Sequence, residues 1–275
     1  MKAVFSFRSK PFAESCDRRM AGFYSDHYFI VSFKLAILCA KKSFDRVELY
    51  TDRAGHDLLI RDNQLEFDKV HVVLDDLNDL PSDLWMAGKL YTYSLQDEPF
   101  IHLDYDLFLL EPIPQAFLDL PALVQCEEPF NQANAYKWGI DWVTANNRKL
   151  PLEFYYFRNT PYEERKAHNM GLVGGQAYQS IADYGKKALQ MLRTNLDIIM
   201  ELPTDVISQI NIVYEQYFFT QYMGHHNISV TSYMPYAFLC CEFNNETFVH
   251  ILSTVKSSLS TCMKMEEVYL SRIDK

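Results

Sequence analysis

Two hydrophobic periods alternate along the first 110 residues. Short apolar runs, KAVFSF (2–7), RVELYTD (46–52), KVHVVL (69–74) and EPFIHLD (98–104), have the length and the aromatic or β-branched content of strands. Between them, residues from Ser25 to Lys42, RAGHDLLIRDN (53–63) and SDLWMAGKLYTYSLQ (82–96) place apolar side chains at helical spacing. Strand–helix alternation of this kind predicts βαβ units, and so an α/β fold with a mostly parallel sheet flanked by helices. Ligands of such sheets bind beyond the carboxyl ends of the strands.

The pattern changes after residue 110. ALVQCEE (122–128), LEFYYF (152–157) and HNMGLVGG (168–175) read as strands separated by long loops. Helices are expected near Gln176–Met200 and Ser208–Met223, short strands at NISVT and TFVHIL, and a terminal helix at EEVYLSRI. No repeat, low-complexity tract or Pro/Gly-rich linker interrupts the chain. The simplest partition is one domain over residues 1–275, with a βαβ half (1–110) and an elaborated second half (111–275).

Composition narrows the partners. About half of the 275 residues are apolar, with 18 Tyr and 19 Phe, enough for a substantial core. Twenty-six basic residues against 36 acidic ones give a formal charge of −10. With no Lys/Arg-rich run, such a chain repels nucleic-acid phosphates. The start, MKAVFSFRSKPF, has no apolar signal core, and the longest greasy stretch, YFIVSFKLAILCA, is too short to span a bilayer. A cytoplasmic location without a transmembrane segment is therefore expected, with peripheral membrane contact left open and a bacterial source favoured. The six cysteines (16, 39, 126, 240, 241 and 262) form no CxxC pair, so reduced, buried thiols are expected.

One strand breaks the apolar rule. FIHLDYDLFLL (100–110) carries Asp104 and Asp106 at the end of FIHL, and apolar residues resume behind them. Charges inside a buried stretch need a partner, and two adjacent carboxylates disfavour each other's ionisation unless a cation lies between them. Oxygen donors of this kind suit a hard divalent ion such as Mg²⁺ or Mn²⁺, which keeps positions open for phosphate oxygens. The plain alternative is a turn opened by Asp106 and a helix capped by Asp104.

FIHLDYDLFLLEPI resembles the Asp-x-Asp segment of GT-A glycosyltransferases, the nucleotide-sugar-dependent class. FVHILSTVKSS, with His250 six residues before Lys256, is similar to the His-x-x-Gly-x-x-Lys segment of the retaining glycogenin and lipooligosaccharide galactosyltransferase type (family 8-like), with Ser253 in the place of Gly. HNMGLVGG places Asn169 and Gly171 like that family's Asn-x-Gly strand. NIVYEQYFFTQY places Glu215 and Gln216 like its Asp-Gln helix, with Glu for Asp.

The resemblance implies a GT-A-like fold and a metal site of Asp104, Asp106 and His250. It implies Lys256 on a donor diphosphate, with Lys89, Ser6, Arg8 and Asp104 as further donor-side contacts. Asn169, Glu215 and Gln216 would act at the sugar. The implied activity is transfer of a hexose from a nucleotide-diphosphate donor, a UDP-sugar foremost, to a glycan, glycolipid or protein acceptor. Mn²⁺ or Mg²⁺ would assist, with the anomeric configuration retained. If the reaction inverts instead, a carboxylate base is needed, and Glu215 is the candidate.

Two alternatives stand beside it. A degenerate GT-A-like domain would bind a sugar or a partner without turnover. An Asp-x-Asp phosphatase would need its motif on the first strand and a later Gly-Asp-x-x-x-Asp, which this chain lacks. No Gly-x-Gly-x-x-Gly, Walker A, zinc spacing or nucleophile elbow occurs.

Overall fold

A computed structural model describes residues 1–14, 19–132, 135–238, 243 and 247–273. Nine strands run through the described residues: β1 (Lys2–Phe7), β2 (Val47–Thr51), β3 (Lys69–Val72), β4 (Phe100–Leu103), β5 (Leu107–Leu109), β6 (Ala122–Pro129), β7 (Lys166–Gly175), β8 (Val230–Ser232) and β9 (Phe248–His250). Their pairings are mostly parallel and helices flank them, so the chain is α/β as its hydrophobic periods predict. The two sequence halves are interleaved. One compact unit comprises Met1–Ser82, Phe100–Leu118 and Ala237–Lys275, and the other Asp83–Pro99 and Asp119–Tyr236.

The first unit is built on four parallel strands in the order β3-β2-β1-β4. β1 and β2 are buried almost throughout. That explains why KAVFSF and VELYT are near-continuous apolar runs rather than alternating ones: a parallel sheet is covered on both faces. The helix Asp26–Ala40 is buried along most of its length, including Phe29, Phe33, Leu35 and Ala36. The chain steps outward from β1 to β3, then returns to the other side of β1 as β4. This reversal of strand order is where open α/β sheets place their ligands. Asp104 follows β4 directly at that edge. β5 then leaves the sheet and pairs with β9 as an antiparallel ribbon.

The second unit holds β6 between antiparallel β7 and parallel β8, with a bulge between Val124 and Cys126. Helix Tyr178–Thr194 lies close against helix Met86–Ser94 at Gly185, where a Cβ would come within 2.7 Å of the Leu90 carbonyl. Gly175 ends β7 at φ 135°, and a side chain there would meet the Pro121 carbonyl at 2.5 Å.

Several expected elements change form. LEFYYF is no strand. Pro151 opens a 3₁₀ turn over Leu152–Tyr155, and successive i→i+3 bonds carry the backbone to Arg158. The helix expected over 176–200 ends at Thr194, where Asn195 turns its amide back to the Met191 carbonyl and accepts from the Arg148 amide. The helix expected over 208–223 begins earlier. It runs as Thr204–Ile212, a π turn Val213–Tyr217, then Phe218–His225. Helix Lys137–Asn146 is missing from the sequence reading. Its Gly139 lowers helical preference, yet is needed because a Cβ there would lie 2.8 Å from Val213.

Cys39, Cys126 and Cys262 are free and buried. Burial pushes the Cys39 thiol up to about 11 and the Cys126 thiol up to about 12, so both are protonated thiols at neutral pH. Cys16, Cys240 and Cys241 lie outside the described residues. No helix among the described residues is long and apolar enough to cross a membrane.

Candidate metal centre

The two acids of the strand end are separated by a half-buried aromatic anchor. Tyr105 points its ring into the core, stacked on Phe33 at 4.6 Å and edge-on to Phe29 and Phe7. The turn is closed by the Leu107 amide donating to the Asp104 carbonyl at 3.1 Å.

The ribbon supplies the third group. β5 starts one residue after Asp106, and its Leu107 is in register with His250 at the end of β9. The Ile251 amide donates to the Asp106 carbonyl at 3.1 Å, which fixes that register at the site. His250 Nε2 therefore lies 3.4 Å from Asp106 Oδ1. Ligand atoms of Asp104, Asp106 and His250 all fall within 4.8 Å of one another, Asp106 and His250 buried and Asp104 half-buried. Two carboxylates and an imidazole on one side of a cation could hold a divalent ion, with its far side left for other oxygens.

Lys256 completes the charge. It lies on the 3₁₀ turn Ser253–Ser257, and its Nζ forms an ion pair with Asp106 Oδ2. The ammonium also lies 5.7 Å from the Phe23 ring centre and 5.9 Å from that of Tyr105. Burial alone would raise the Asp106 carboxyl, but the Lys256 ammonium and His250 outweigh it and hold the group well below the usual carboxylate range. Asp106 is thus a full anion at neutral pH.

Behind Asp104, His102 links two further groups. Its Nε2 is 2.9 Å from the Ser6 hydroxyl and its Nδ1 is 3.9 Å from Asp104. Ser6 is thus tied to the edge through an imidazole.

Arg8, expected to meet a donor, is committed to the protein. Its buried guanidinium donates to the Leu77 carbonyl at 3.1 Å, to the Pro81 carbonyl at 3.2 Å and closely to the Leu80 carbonyl. It holds the segment after β3 in place. Asp52 caps the turn Arg53–His56 and binds Ser9, and Thr51 donates to the Phe7 carbonyl.

The remaining expected residues lie in the second unit. Lys89 forms a 2.9 Å ion pair with Glu215, whose side chain is fully buried. The resemblance implies Lys89 as a donor-side contact and Glu215 at the sugar; here the two pair with each other. Glu215 and Gln216 sit on the π turn, a form that often marks functional positions. Tyr184 donates its hydroxyl to the Glu215 carbonyl, with the Tyr214 carbonyl 3.2 Å away, so the backbone groups displaced by the extra residue find a partner.

Gln216 faces a polar cluster that the sequence reading only partly identified. Asn169 Nδ2 donates to Glu128 Oε1 at 2.9 Å, and Asn169 Oδ1 accepts from the Gly171 amide at 3.0 Å. Tyr136 Oη lies 2.8 Å from Glu128 Oε2 and in close contact with Gln216 Oε1. Burial and the adjacent Glu128 push the Tyr136 hydroxyl well above its usual range, so it stays a donor. Glu128 and Tyr136 were not singled out from sequence. The available signal was the one used for the Asp pair: acids at the end of an apolar strand, ALVQCEE.

A family model matches residues 1–273, and the chain belongs to that family, described as a family of unknown function (DUF6734). No curated protein matches it.

Proposed function

We propose that the protein is a metal-dependent glycosyltransferase of GT-A type, moving a hexose from a nucleotide-diphosphate donor to a carbohydrate or glycolipid acceptor. One observation carries this reading: Asp104, Asp106 and His250 converge at the carboxyl edge of a parallel sheet, beside the reversal of strand order, with Lys256 on the same carboxylate.

Asp104, Asp106 and His250 would hold Mn²⁺ or Mg²⁺. A divalent ion bound there would stabilise the charge that builds on a departing diphosphate. Lys256 adds a positive charge within reach of the same group. His102, in contact with the Ser6 hydroxyl, places its imidazole 3.9 Å from Asp104. The resemblance assigns the sugar to Asn169 and Gln216, and Glu128 and Tyr136 fix the orientation of those amides. Glu215 is less suited to a direct role, because Lys89 already pairs with it in a buried setting.

The test is donor turnover. Purified protein is incubated with UDP-, GDP-, CMP- and dTDP-sugars in Mn²⁺, with water or simple sugars as acceptor, and nucleotide release is followed. Release from one donor, abolished by EDTA and by Asp104→Asn, supports the proposal. Mn²⁺-dependent donor binding without release of nucleotide in any acceptor mixture favours a sugar-binding domain without turnover.

A further inference from the structure

The Asp106–Lys256 pair has a consequence beyond holding a metal, and it rests on the metal reading just given. Asp106 is contacted on both of its oxygens: His250 on Oδ1, the Lys256 ammonium on Oδ2. A divalent ion held by Asp106 must share that carboxylate with the ammonium. Two cations on one carboxylate oppose each other.

The backbone of Lys256 is pinned. Its carbonyl accepts from the Tyr24 amide at 3.1 Å and from Cys262 Sγ at 3.1 Å. Its side chain is a flexible stem with a single charged end, which lies near the Phe23 and Tyr105 rings. The ammonium can therefore change partner by side-chain rotation alone, while its root stays fixed.

We infer that Lys256 is an exchangeable counter-cation. It competes with a divalent ion for Asp106, and a diphosphate relieves the competition by taking the ammonium onto its own oxygens. The site then binds metal weakly alone and strongly with a nucleoside diphosphate. By linkage, metal strengthens nucleotide binding by the same factor. This makes simultaneous occupancy the preferred state and keeps a lone divalent ion from saturating the site.

The test titrates Mn²⁺ by electron paramagnetic resonance, alone and with UDP, on wild type, Lys256→Met and Lys256→Arg. The methionine has similar length and no charge. It is expected to tighten Mn²⁺ binding in the absence of UDP by about fivefold or more, the lower end of ordinary coupling. The extra affinity that UDP confers on the wild type should shrink toward none. Arginine keeps the charge, so its lone-Mn²⁺ affinity should equal or fall below that of wild type.

Equal lone-Mn²⁺ affinity in wild type and Lys256→Met, with UDP enhancement intact in both, overturns the inference and leaves the metal site standing. No Mn²⁺ binding by wild type or either variant, with or without UDP, removes the metal reading and this inference together. If Lys256→Met does not fold, Lys256→Arg carries the test: tighter lone-Mn²⁺ binding than wild type would contradict competition by charge.

Discussion

Leu107 lies opposite His250 in the β5–β9 ribbon, one residue beyond Asp106. This register makes the candidate site local to a few residues although its members are separated by more than half the chain. His250→Ala should leave the ribbon paired but remove the imidazole. Mn²⁺ affinity is expected to fall by at least about tenfold, since even outer groups around a metal typically matter at that level. Calorimetric titration checks it, with far-UV circular dichroism confirming the fold. An unchanged affinity would take His250 out of the ligand set.

Asp106 is also a structural group. Asp106→Ala leaves the Lys256 ammonium, largely buried beside two aromatic rings, without its anion. Removing one partner of a buried pair costs about 3 kcal/mol. Urea unfolding of the variant in EDTA should show that loss. A change below about 0.5 kcal/mol would place the pair in the class of solvent-screened surface contacts.

The Lys89–Glu215 pair sharpens the assignment of Glu215. Lys89→Met removes the cation paired with a fully buried carboxylate, and the expected cost is about 3 kcal/mol. The double variant Lys89→Met/Glu215→Leu should recover most of it, because an apolar replacement of a buried pair is often neutral. If turnover survives in the double variant, Glu215 only shapes the π turn. If turnover is lost while stability is recovered, Glu215 acts on substrate.

His168 ties folding to pH. Its buried Nδ1 lies 2.9 Å from the Thr220 hydroxyl, which gives its one proton to the Gln216 carbonyl at 2.9 Å. Thr220 therefore accepts, and His168 carries its proton on Nδ1. Burial, reinforced by Lys166, pushes the imidazole down to about 3, so it stays neutral in the folded protein. The unfolded chain takes up that proton below about pH 6.5. The folded pKa is depressed, so this contribution is intact above about 6.5 and declines as pH falls toward about 3, by about 1.4 kcal/mol per pH unit. Urea midpoints at pH 7 and 5 should show a loss in wild type that is about 2 kcal/mol smaller in His168→Gln. Equal losses in the two proteins would contradict a buried neutral His168.

The sheet and the candidate metal group were legible for different reasons. β1, β2 and β4 announce themselves because a covered parallel sheet needs apolar residues on both faces. Asp104 and Asp106 stand out because charge is costly there. His250 and Lys256 could be paired with them only through a family resemblance, since a strand register 143 residues away leaves no local trace (Leu107 against His250). Arg8 and Lys89 have protein partners that sequence does not show, because a basic residue reads the same whether it meets phosphate, protein carbonyls or a buried carboxylate. Glu128 escaped notice because its partners, Tyr136 and Asn169, come from separate elements. LEFYYF has strand composition, but its aromatics sit on a turn that Pro151 starts.

The most direct test of the central claim is a thermal-shift titration of UDP- and other nucleotide-sugars, in Mn²⁺ and in EDTA, on wild type and Asp106→Asn. Binding to the native state raises its melting temperature by mass action. The account predicts a shift with one nucleotide that requires Mn²⁺ and is lost in the variant. A shift indifferent to metal and to Asp106, or none with any donor, would contradict it.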